Sequence, residues 1–516
     1  MLARVRSYLL QGIDAVACEV EVDLDDANLD RRAIVVGLPD AAVKESLERV
    51  RAAMANSGYP PAEGRLLVNL APADLRKEGP VYDLPIAVGM LVAQRVIVPP
   101  ARDPDAFGAG GLDHREIVFA GELALDGRVR PVRGVLALAA MARAQGVPRV
   151  MVPAENAQEA SVVEGVDVIG VRTLAEVVGL LSGEMEAAPH PPADVAAMLS
   201  QARAPVDFAE VRGQEGVKRA ITIAAAGAHN LLMLGPAGTG KTMMAKALPG
   251  VLPSLTPAEA IEITRIYSAA GALPPGTGLV TTRPVRTPHH TASSAAIVGG
   301  GIVPRPGEIS LAHRGVLFLD ELAEFPRMVL ETLRQPLEDH VVTIARSHAA
   351  VKFPASFMLV AAMNPTPKGD VAPGEVGRRE MERYLSRLSG PLLDRIDIHV
   401  EAPAVPWAQL QRAPTGTSSA QIRDAASRAH ERQVSRQGEG VPNARLSGKQ
   451  LDALAPFEGS AREMLGHAMT ELGLSARAYD KIRRVSRTIA DLAGKDLIGV
   501  DHVAEAIGYR LLDRKV

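Results

Sequence analysis

Residues 231–242 read LLMLGPAGTGKT, and this stretch decides the fold of the chain around it. The four apolar residues LLML predict a short buried strand. The eight residues that follow match the pattern G-x-x-x-x-G-K-[ST], and the helical segment MMAKAL comes next. A strand, a glycine-rich loop and a helix in this order predict a phosphate-binding loop in a three-layer α/β core with a parallel sheet.

The loop predicts a site for ATP and Mg²⁺. Its glycines let backbone N–H groups close around phosphate oxygens, and the helix after it turns its positive end toward an anion. Lys241 would neutralise phosphate charge, and Thr242 would offer its hydroxyl to Mg²⁺. The alternative is a glycine-rich turn without a ligand, and the order of strand, loop, Lys-Thr and helix argues against it. The residues predicted to hold the nucleotide are Gly235, Pro236, Ala237, Gly238, Thr239, Gly240, Lys241 and Thr242.

A second apolar strand, VLFL at 316–319, is followed directly by Asp320 and Glu321. We expect Asp320 to be the second metal residue beside Thr242, and Glu321 to be the general base that activates water. An Asp-Glu pair at a strand end is by itself usually just solvated. Beside a phosphate-binding loop it predicts hydrolysis, because a protein that only binds nucleotide needs no base.

An insertion separates the two motifs, since Lys241 and Asp320 stand 79 positions apart and βαβ connections are usually short. Its candidate is the stretch TRPVRTPHHTASSAAIVGGG at 282–301. His289 and His290 raise the alternative of a metal site. We predict none, because neighbouring histidines on a strand point to opposite faces and no third ligand stands at a useful spacing.

Residues 337–353, LEDHVVTIARSHAAVKF, predict a β-hairpin with a polar tip. Arg346 and Lys352 on this hairpin, together with Arg286 in the insertion, are the candidate DNA contacts. The alternative for the hairpin is a solvated edge protected by charge. Asn364 ends the apolar strand FMLVAAM, where its amide could reach a γ-phosphate or the attacking water.

Two arginines stand in further motifs. Arg395 lies in PLLDRID between two acids, and the alternative for it is a surface ion pair. Arg477 begins a run in which Lys481 and Arg484 share its helical face. That face predicts a site for an anion.

Composition narrows the remaining possibilities. The net charge is −3, so no global basic field indicates nucleic-acid binding, and aromatic residues are only 3%, which argues against an aromatic platform for bases. Cys18 is the only cysteine in the sequence, which excludes intrachain disulfides and cysteine-rich zinc sites. The N-terminus does not resemble a signal peptide, and no stretch predicts a membrane span. We therefore expect a cytoplasmic protein with no membrane partner.

The pattern along the chain predicts an α/β fold of several domains. In the first part, Val16, Cys18, Val20 and Val22 alternate as in a half-buried strand, and residues 43–54 carry apolar side chains at helical spacing. Pro-rich stretches predict linkers, and the region after the second one reads as helices only. The expected divisions are an N-terminal α/β domain at 1–182, a linker at 183–206, the ATPase core at 207–403, a linker at 404–420 and an all-α lid domain at 421–516.

Motifs in a fixed order along nearly the whole chain resemble the magnesium-chelatase-like AAA+ ATPases of the ComM/YifB group. The resemblance implies that Asn364 is sensor 1, Arg395 the arginine finger that reaches a neighbouring subunit, and Arg477 the sensor 2 arginine. It also implies that the insertion and the hairpin face the pore of a ring. The segments that carry it are GPAGTGKT, RTPHHTASSAAIVGGG, VLFLDEL, AAMNP, PLLDRID and LSARAYDKIRRVSRTIADL.

The same resemblance implies a homo-hexamer that works as a DNA helicase or translocase. Its substrate would be single-stranded or branched DNA, and its role would be branch migration in recombination during natural transformation. The alternative is an ATPase that remodels a protein partner without DNA, as in magnesium-chelatase complexes. DNA-stimulated ATP hydrolysis separates the two.

The N-terminal part resembles the proteolytic domain of Lon, with its ribosomal S5 domain 2-like fold, in FAGELALDGRVRPVRGVLALAAMARAQGVPRVMVPAEN. Lon-type hydrolysis needs a serine nucleophile and a lysine base. Val81 stands at the serine position and Leu138 at the lysine position. We therefore expect a domain for interaction that is not a protease.

Overall fold

The computed structural model describes residues 1–25, 33–60, 64–100, 111–204, 206–301, 303–346, 349–366, 384, 387–406 and 416–513. These residues form two compact units, each with its own hydrophobic core. The first unit comprises Met1–Ser200 and Ala260–Val280, and the second comprises Gln201–Glu259 and Thr281–Val516. The finer boundaries expected from the sequence stay predictions.

The first unit is built on a mixed sheet of seven strands among the described residues, in the order β3-β4-β2-β1-β5-β8-β9. A short pair, β6 and β7, lies beside it. The strands are β1 (Leu2–Gln11), β2 (Asp14–Asp25), β3 (Ala33–Val36), β4 (Arg65–Ala71), β5 (Ile117–Phe119), β6 (Glu122–Leu123), β7 (Val129–Arg130), β8 (Arg149–Pro153) and β9 (Asp167–Val171). The helices are α1 (Ala41–Asn56), α2 (Asp83–Ala93), α3 (Val135–Ala144), α4 (Ala157–Ala160), α5 (Leu174–Ser182) and α6 (Val195–Ser200).

Hydrophobic periodicity explains the elements of this unit. Strand β2 buries Cys18, Val20 and Val22 in alternation, as predicted, and α1 buries its apolar face along its whole length. Helix α2 is buried on all sides. Val81 lies in the turn before α2, and Leu138 is fully buried in α3, so neither position carries a nucleophile or a base.

The second unit contains a parallel sheet in the order β11-β14-β17-β10-β18. Two antiparallel pairs, β12 with β13 and β15 with β16, lie outside that sheet. The strands are β10 (Leu231–Leu234), β11 (Val285–Arg286), β12 (Gly299–Gly300), β13 (Arg305–Pro306), β14 (Val316–Leu319), β15 (Val341–Arg346), β16 (Ala349–Pro354), β17 (Met358–Met363) and β18 (Ile398–Glu401).

Helices pack around this sheet, and the described part of the chain after β18 forms helices only. Helix α7 packs against α15 and α18, so that the C-terminal helices and the sheet share one core. From Ala260 onward, the residues of α9 belong to the first unit. The helices are α7 (Glu215–Gly227), α8 (Lys241–Ala247), α9 (Pro257–Ala270), α10 (Ser294–Val298), α11 (Glu308–Leu311), α12 (Arg327–Thr332), α13 (Arg334–Asp339), α14 (Gly390–Leu393), α15 (Ser419–Gln437), α16 (Gly448–Leu454), α17 (Gly459–Glu471), α18 (Ala476–Leu492) and α19 (Val500–Gly508).

The predicted α/β class with a helical C-terminal region is confirmed. The hairpin predicted at 337–353 is present as β15 and β16. The stretch 183–206, predicted to be a linker, contains the short helix α6, since alanines favour helix there. One local expectation was wrong, because His289 and His290 lie in a loop after β11 rather than on a strand. In the described part of the chain, no helix combines the length and the apolarity that a membrane crossing requires.

The buried sheet of the second unit makes a stability prediction. Phe318 in β14 is 1% exposed and belongs to the core, so Phe318→Ala should lower the free energy of unfolding by about 3–5 kcal/mol. Met328, at 78% exposure, is the control, and Met328→Ala should change it by less than about 0.5 kcal/mol. Urea unfolding followed by circular dichroism measures both. Equal effects of the two substitutions would contradict the packing.

Candidate nucleotide-binding site

The glycine-rich loop lies between β10 and α8. The Gly235 N–H donates to the Met363 carbonyl of β17 at 3.2 Å, and a Cβ at Gly235 would lie 2.1 Å from the Ala402 carbonyl oxygen. Only glycine fits so close to a neighbouring backbone. Gly238 and Gly240 have φ values of +80° and +87°, which side-chain-bearing residues rarely adopt. The backbone of this loop therefore depends on its glycines, and Ala237 and Gly238 are exposed at its tip.

Lys241 is the first residue of α8, and its ammonium group turns back into the loop. It donates to the carbonyls of Gly235 at 2.7 Å and Pro236 at 2.8 Å, and to Asn364 Oδ1 at 3.3 Å. Burial lowers the pKa of Lys241, and the negative charge of Asp320 partly opposes that shift. The ammonium group of the buried Lys241 lies among carbonyl dipoles, which phosphate oxygens can replace without a large movement of the side chain.

Thr242 and Asp320 meet across the two motifs. The Thr242 hydroxyl donates to Asp320 Oδ2 at 2.6 Å, and the other carboxylate oxygen accepts the Glu321 N–H at 3.0 Å. A hydroxyl and a carboxylate are hard oxygen ligands of the kind that Mg²⁺ prefers. Because the pair lies at the first turn of the helix after the loop, these residues fit a phosphate-bound magnesium ion.

Glu321 stands directly after β14 with its backbone in the left-handed region, at φ +52° and ψ +48°. Its side chain is half exposed, and its Oε2 lies 3.2 Å from His290 Nδ1. The His289 and His290 rings lie 4.1 Å apart between centroids, and the Phe325 ring meets His290 edge-on. The loop after β11 thus brings an imidazole to the carboxylate that we predict to be the general base.

Neither histidine belongs to a metal cluster. Among the residues that the structure describes, no three His, Cys, Asp or Glu side chains gather as a metal site would require. The contact between His290 and Glu321 escaped sequence reasoning, because 31 positions separate the two residues and only the pairing of β11 with β14 brings them together.

Arg395 and Arg477 lie at the end of the parallel strands opposite to the glycine-rich loop. Strand β18 runs parallel to β10 with Ile398 opposite Leu231, so Arg395 precedes the strand at the end remote from the loop. Its guanidinium donates to the Pro391 carbonyl at 2.6 Å and forms an ion pair with Glu338 of α13. Arg477 is 74% exposed and pairs with Asp394 at 2.8 Å. The structure thus brings both arginines to one edge and away from the loop of their own chain.

The basic side chains expected on one face of α18 have partners within the chain. Lys481 is buried in an ion pair with Asp397, and the Arg484 guanidinium donates to the Leu446 carbonyl at 2.8 Å. The prediction that Arg477, Lys481 and Arg484 together form an open anion site is therefore wrong. The sequence pattern could not show that Asp397, 84 positions earlier, supplies the opposing charge.

The candidate DNA residues have different surroundings. Arg286 forms a bidentate ion pair with Glu308 at 2.6 and 2.8 Å. Lys352 is exposed on β16, opposite Thr343. The backbone of Arg346 ends β15, and its side chain lies outside the described residues. Of the three, Lys352 is the one that the structure shows open to solvent without a carboxylate pair.

Family profiles match three consecutive stretches of the chain. "Subunit ChlI of Mg-chelatase" matches residues 20–156, "Magnesium chelatase, subunit ChlI" matches 207–410, and "Magnesium chelatase, subunit ChlI C-terminal" matches 416–510. The second of these stretches contains the glycine-rich loop, Asp320, Glu321, Asn364 and Arg395.

Full-length relatives show the same kinship. The chain is 43% identical to competence protein ComM of Haemophilus influenzae, over 99% of this chain and 98% of that protein. It is 42% identical to YifB of Salmonella typhimurium over the same shares. The magnesium-chelatase 38 kDa subunit of Rhodobacter capsulatus is 27% identical, over 32% of this chain and 52% of that subunit. On this evidence, the chain belongs to the magnesium-chelatase-like AAA+ ATPases of the ComM/YifB group.

Proposed function

We propose that the chain hydrolyses ATP as one subunit of a ring-shaped DNA motor in the cytoplasm. One observation carries the proposal: the loop lysine after β10 and the Asp320 and Glu321 carboxylates after β14 lie at the same end of the parallel sheet, where Thr242 bonds Asp320 and Lys241 bonds Asn364 at the end of β17 between those strands. In open α/β sheets, ligands bind in the crevice outside the carboxyl ends of the strands. Kinship to the competence protein ComM supports the DNA part of the proposal.

The residues divide the work by their chemistry. Loop N–H groups and Lys241 bind the phosphates, and Thr242 with Asp320 holds Mg²⁺, which neutralises charge on the β- and γ-phosphates when bound. Glu321 accepts a proton from the attacking water, and His290 orients that carboxylate. The Asn364 amide, now on Lys241, stands where it can hold the water or the γ-phosphate.

Both arginines act on the nucleotide of a neighbouring subunit. They lie at the sheet edge remote from their own loop, where a ring would present them to the next protomer. Arg395 then exchanges Glu338, and Arg477 exchanges Asp394, for phosphate oxygens. This arrangement requires an oligomer, and we propose the homo-hexamer that the AAA+ family favours.

Lys241 tests nucleotide binding. Lys241→Ala removes a charged donor from the phosphates and should weaken ATP binding by about 2 kcal/mol, roughly thirtyfold. Lys246, exposed on the same helix, is the matched control, and Lys246→Ala should bind as the wild type does. Titration with a fluorescent ATP analogue measures both. Unchanged affinity in Lys241→Ala would move the nucleotide site elsewhere.

Glu321 tests hydrolysis. Glu321→Gln keeps the shape of the side chain and removes its basicity, so it should bind ATP normally and turn over at least a hundredfold more slowly. Glu324, three positions on and paired with Arg387, is the control, and Glu324→Gln should keep turnover. Steady-state ATPase assays decide. Wild-type turnover in Glu321→Gln would exclude it as the base.

Arg395 tests action between subunits. An arginine supplied in trans can be worth about 10³–10⁵ in turnover. Arg395→Ala alone and Glu321→Gln alone should both be slow, whereas mixed rings should recover activity wherever an intact base meets an intact arginine. Recovery is read against the mixing ratio. Assembled mixed rings without any recovery would contradict the proposal.

Lys352 and Arg346 test the DNA part. If they contact phosphates, the affinity for single-stranded DNA should fall with salt, and Lys352→Ala with Arg346→Ala should lower the log–log slope by about 0.7 per lost contact. DNA stimulation of the ATPase should be lost while basal hydrolysis stays. Lys449→Ala, an exposed lysine on α16, is the control.

The same measurements distinguish the DNA motor from the alternative, an ATPase that remodels a protein partner. Wild-type rings that hydrolyse ATP but show no salt-dependent DNA binding in its presence would favour remodelling of a protein partner. The likeness to a magnesium-chelatase subunit supports that second function.

A further inference from the structure

A buried ion pair joins the two segments that carry the arginines. Asp397 is 3% exposed, and Lys481 of α18 is 8% exposed. Asp397 Oδ1 pairs with the Lys481 ammonium. Burial alone would raise the pKa of Asp397, but Lys481 and the nearby His229 outweigh that effect and hold it well below its usual range. Burial lowers the pKa of Lys481, and the facing Asp397 carboxylate opposes that shift.

The same carboxylate is tied to the start of β10. Asp397 Oδ2 accepts the Asn230 N–H at 3.1 Å, directly before β10. The Asn230 side chain donates to the Arg395 carbonyl at 2.9 Å and accepts the Leu359 N–H at the start of β17. Hydrogen bonds through Asn230 thus tie the turn that carries Arg395 to the starts of β10 and β17.

Helix α18 is held to this turn at two neighbouring points. Lys481 and Arg477 are four positions apart and share one helix face. Lys481 reaches Asp397 and Arg477 reaches Asp394, so the two acids flank Arg395 and both bond the same helix. A rotation of α18 that moves Arg477 would also move Lys481, whose buried ion pair with Asp397 ties the helix to the turn that carries Arg395.

We propose that the Asp397–Lys481 pair is a positioning element that sets Arg395 and Arg477 together for the nucleotide of the next subunit. This inference rests on the proposed function, since it assumes that both arginines act in trans. The pair touches no nucleotide, and it acts through the orientation of the turn and the helix.

Burial of a charge pair does not by itself indicate a gain in stability. Apolar residues of similar volume are often as stable at such positions, whereas removal of one partner is strongly destabilising. A purely structural pair could therefore be replaced as a whole without loss of activity. A positioning pair could not.

The test replaces both charges. In Asp397→Asn/Lys481→Met the amide oxygen can still accept the Asn230 N–H, and the methionine fills the volume of the lysine stem. We expect a thermal unfolding midpoint close to the wild type and unchanged affinity for a fluorescent ATP analogue. Turnover should fall at least tenfold. Lys481→Met alone should unfold at a lower temperature than the double variant, because it removes the lysine charge and leaves only His229 beside the buried Asp397 carboxylate.

Mixed assemblies identify the step that is lost. The double variant keeps its own loop and base, so mixing it with Glu321→Gln subunits, whose arginines are in place, should restore turnover as Arg395→Ala mixtures do. Asp491→Asn/Arg487→Met is the control, because it removes another buried pair of α18 near its far end. That control should hydrolyse ATP at the wild-type rate.

The outcomes are distinct. Wild-type turnover in the double variant, slow turnover that mixing does not restore, or an equal loss in the Asp491 control would each overturn the inference while Arg395→Ala still behaves as proposed. Wild-type turnover in Arg395→Ala would instead remove the proposed function and the inference with it.

Discussion

The parallel pairing of β10 with β17 on one side and β18 on the other is the constraint on which the second unit depends. In this register, the glycine-rich loop and Asn364 follow the C-terminal ends of their strands, while Asn230 and Arg395 meet at the N-terminal ends. The glycine-rich loop and Arg395 are therefore separated by the length of four residues of strand. The proposed action of the arginines on the nucleotide of a neighbouring subunit agrees with this separation.

Sequence reasoning located the elements correctly where the pattern is local. The loop and the Asp-Glu pair are contiguous motifs after apolar strands, and both lie where parallel strands end. It failed where partners are distant in sequence. The contact of His290 with Glu321 and the burial of Lys481 against Asp397 depend on strand order and helix packing, which no spacing rule encodes. The predicted anion face of α18 failed for that reason.

Four of the cations predicted to bind anions or DNA have carboxylate partners within the described part of the chain. Arg286, Arg395, Arg477 and Lys481 each have a carboxylate partner, which agrees with a net charge near zero and with no basic field. An arginine with a carboxylate partner must exchange it before it binds a phosphate. Such exchange costs little at an exposed pair such as Arg477–Asp394 and far more at a buried one. An exposed arginine such as Arg477 can therefore leave its carboxylate partner for a phosphate, whereas a buried cation such as Lys481 stays paired.

The left-handed backbone at Glu321 has an evolutionary consequence. A side-chain-bearing residue in that conformation costs about 1 kcal/mol relative to glycine, so the position trades folding stability for the aim of its carboxylate. Selection for a more stable fold alone would replace Glu321 by glycine. A lineage that no longer needed this carboxylate would gain folding stability from glycine at position 321.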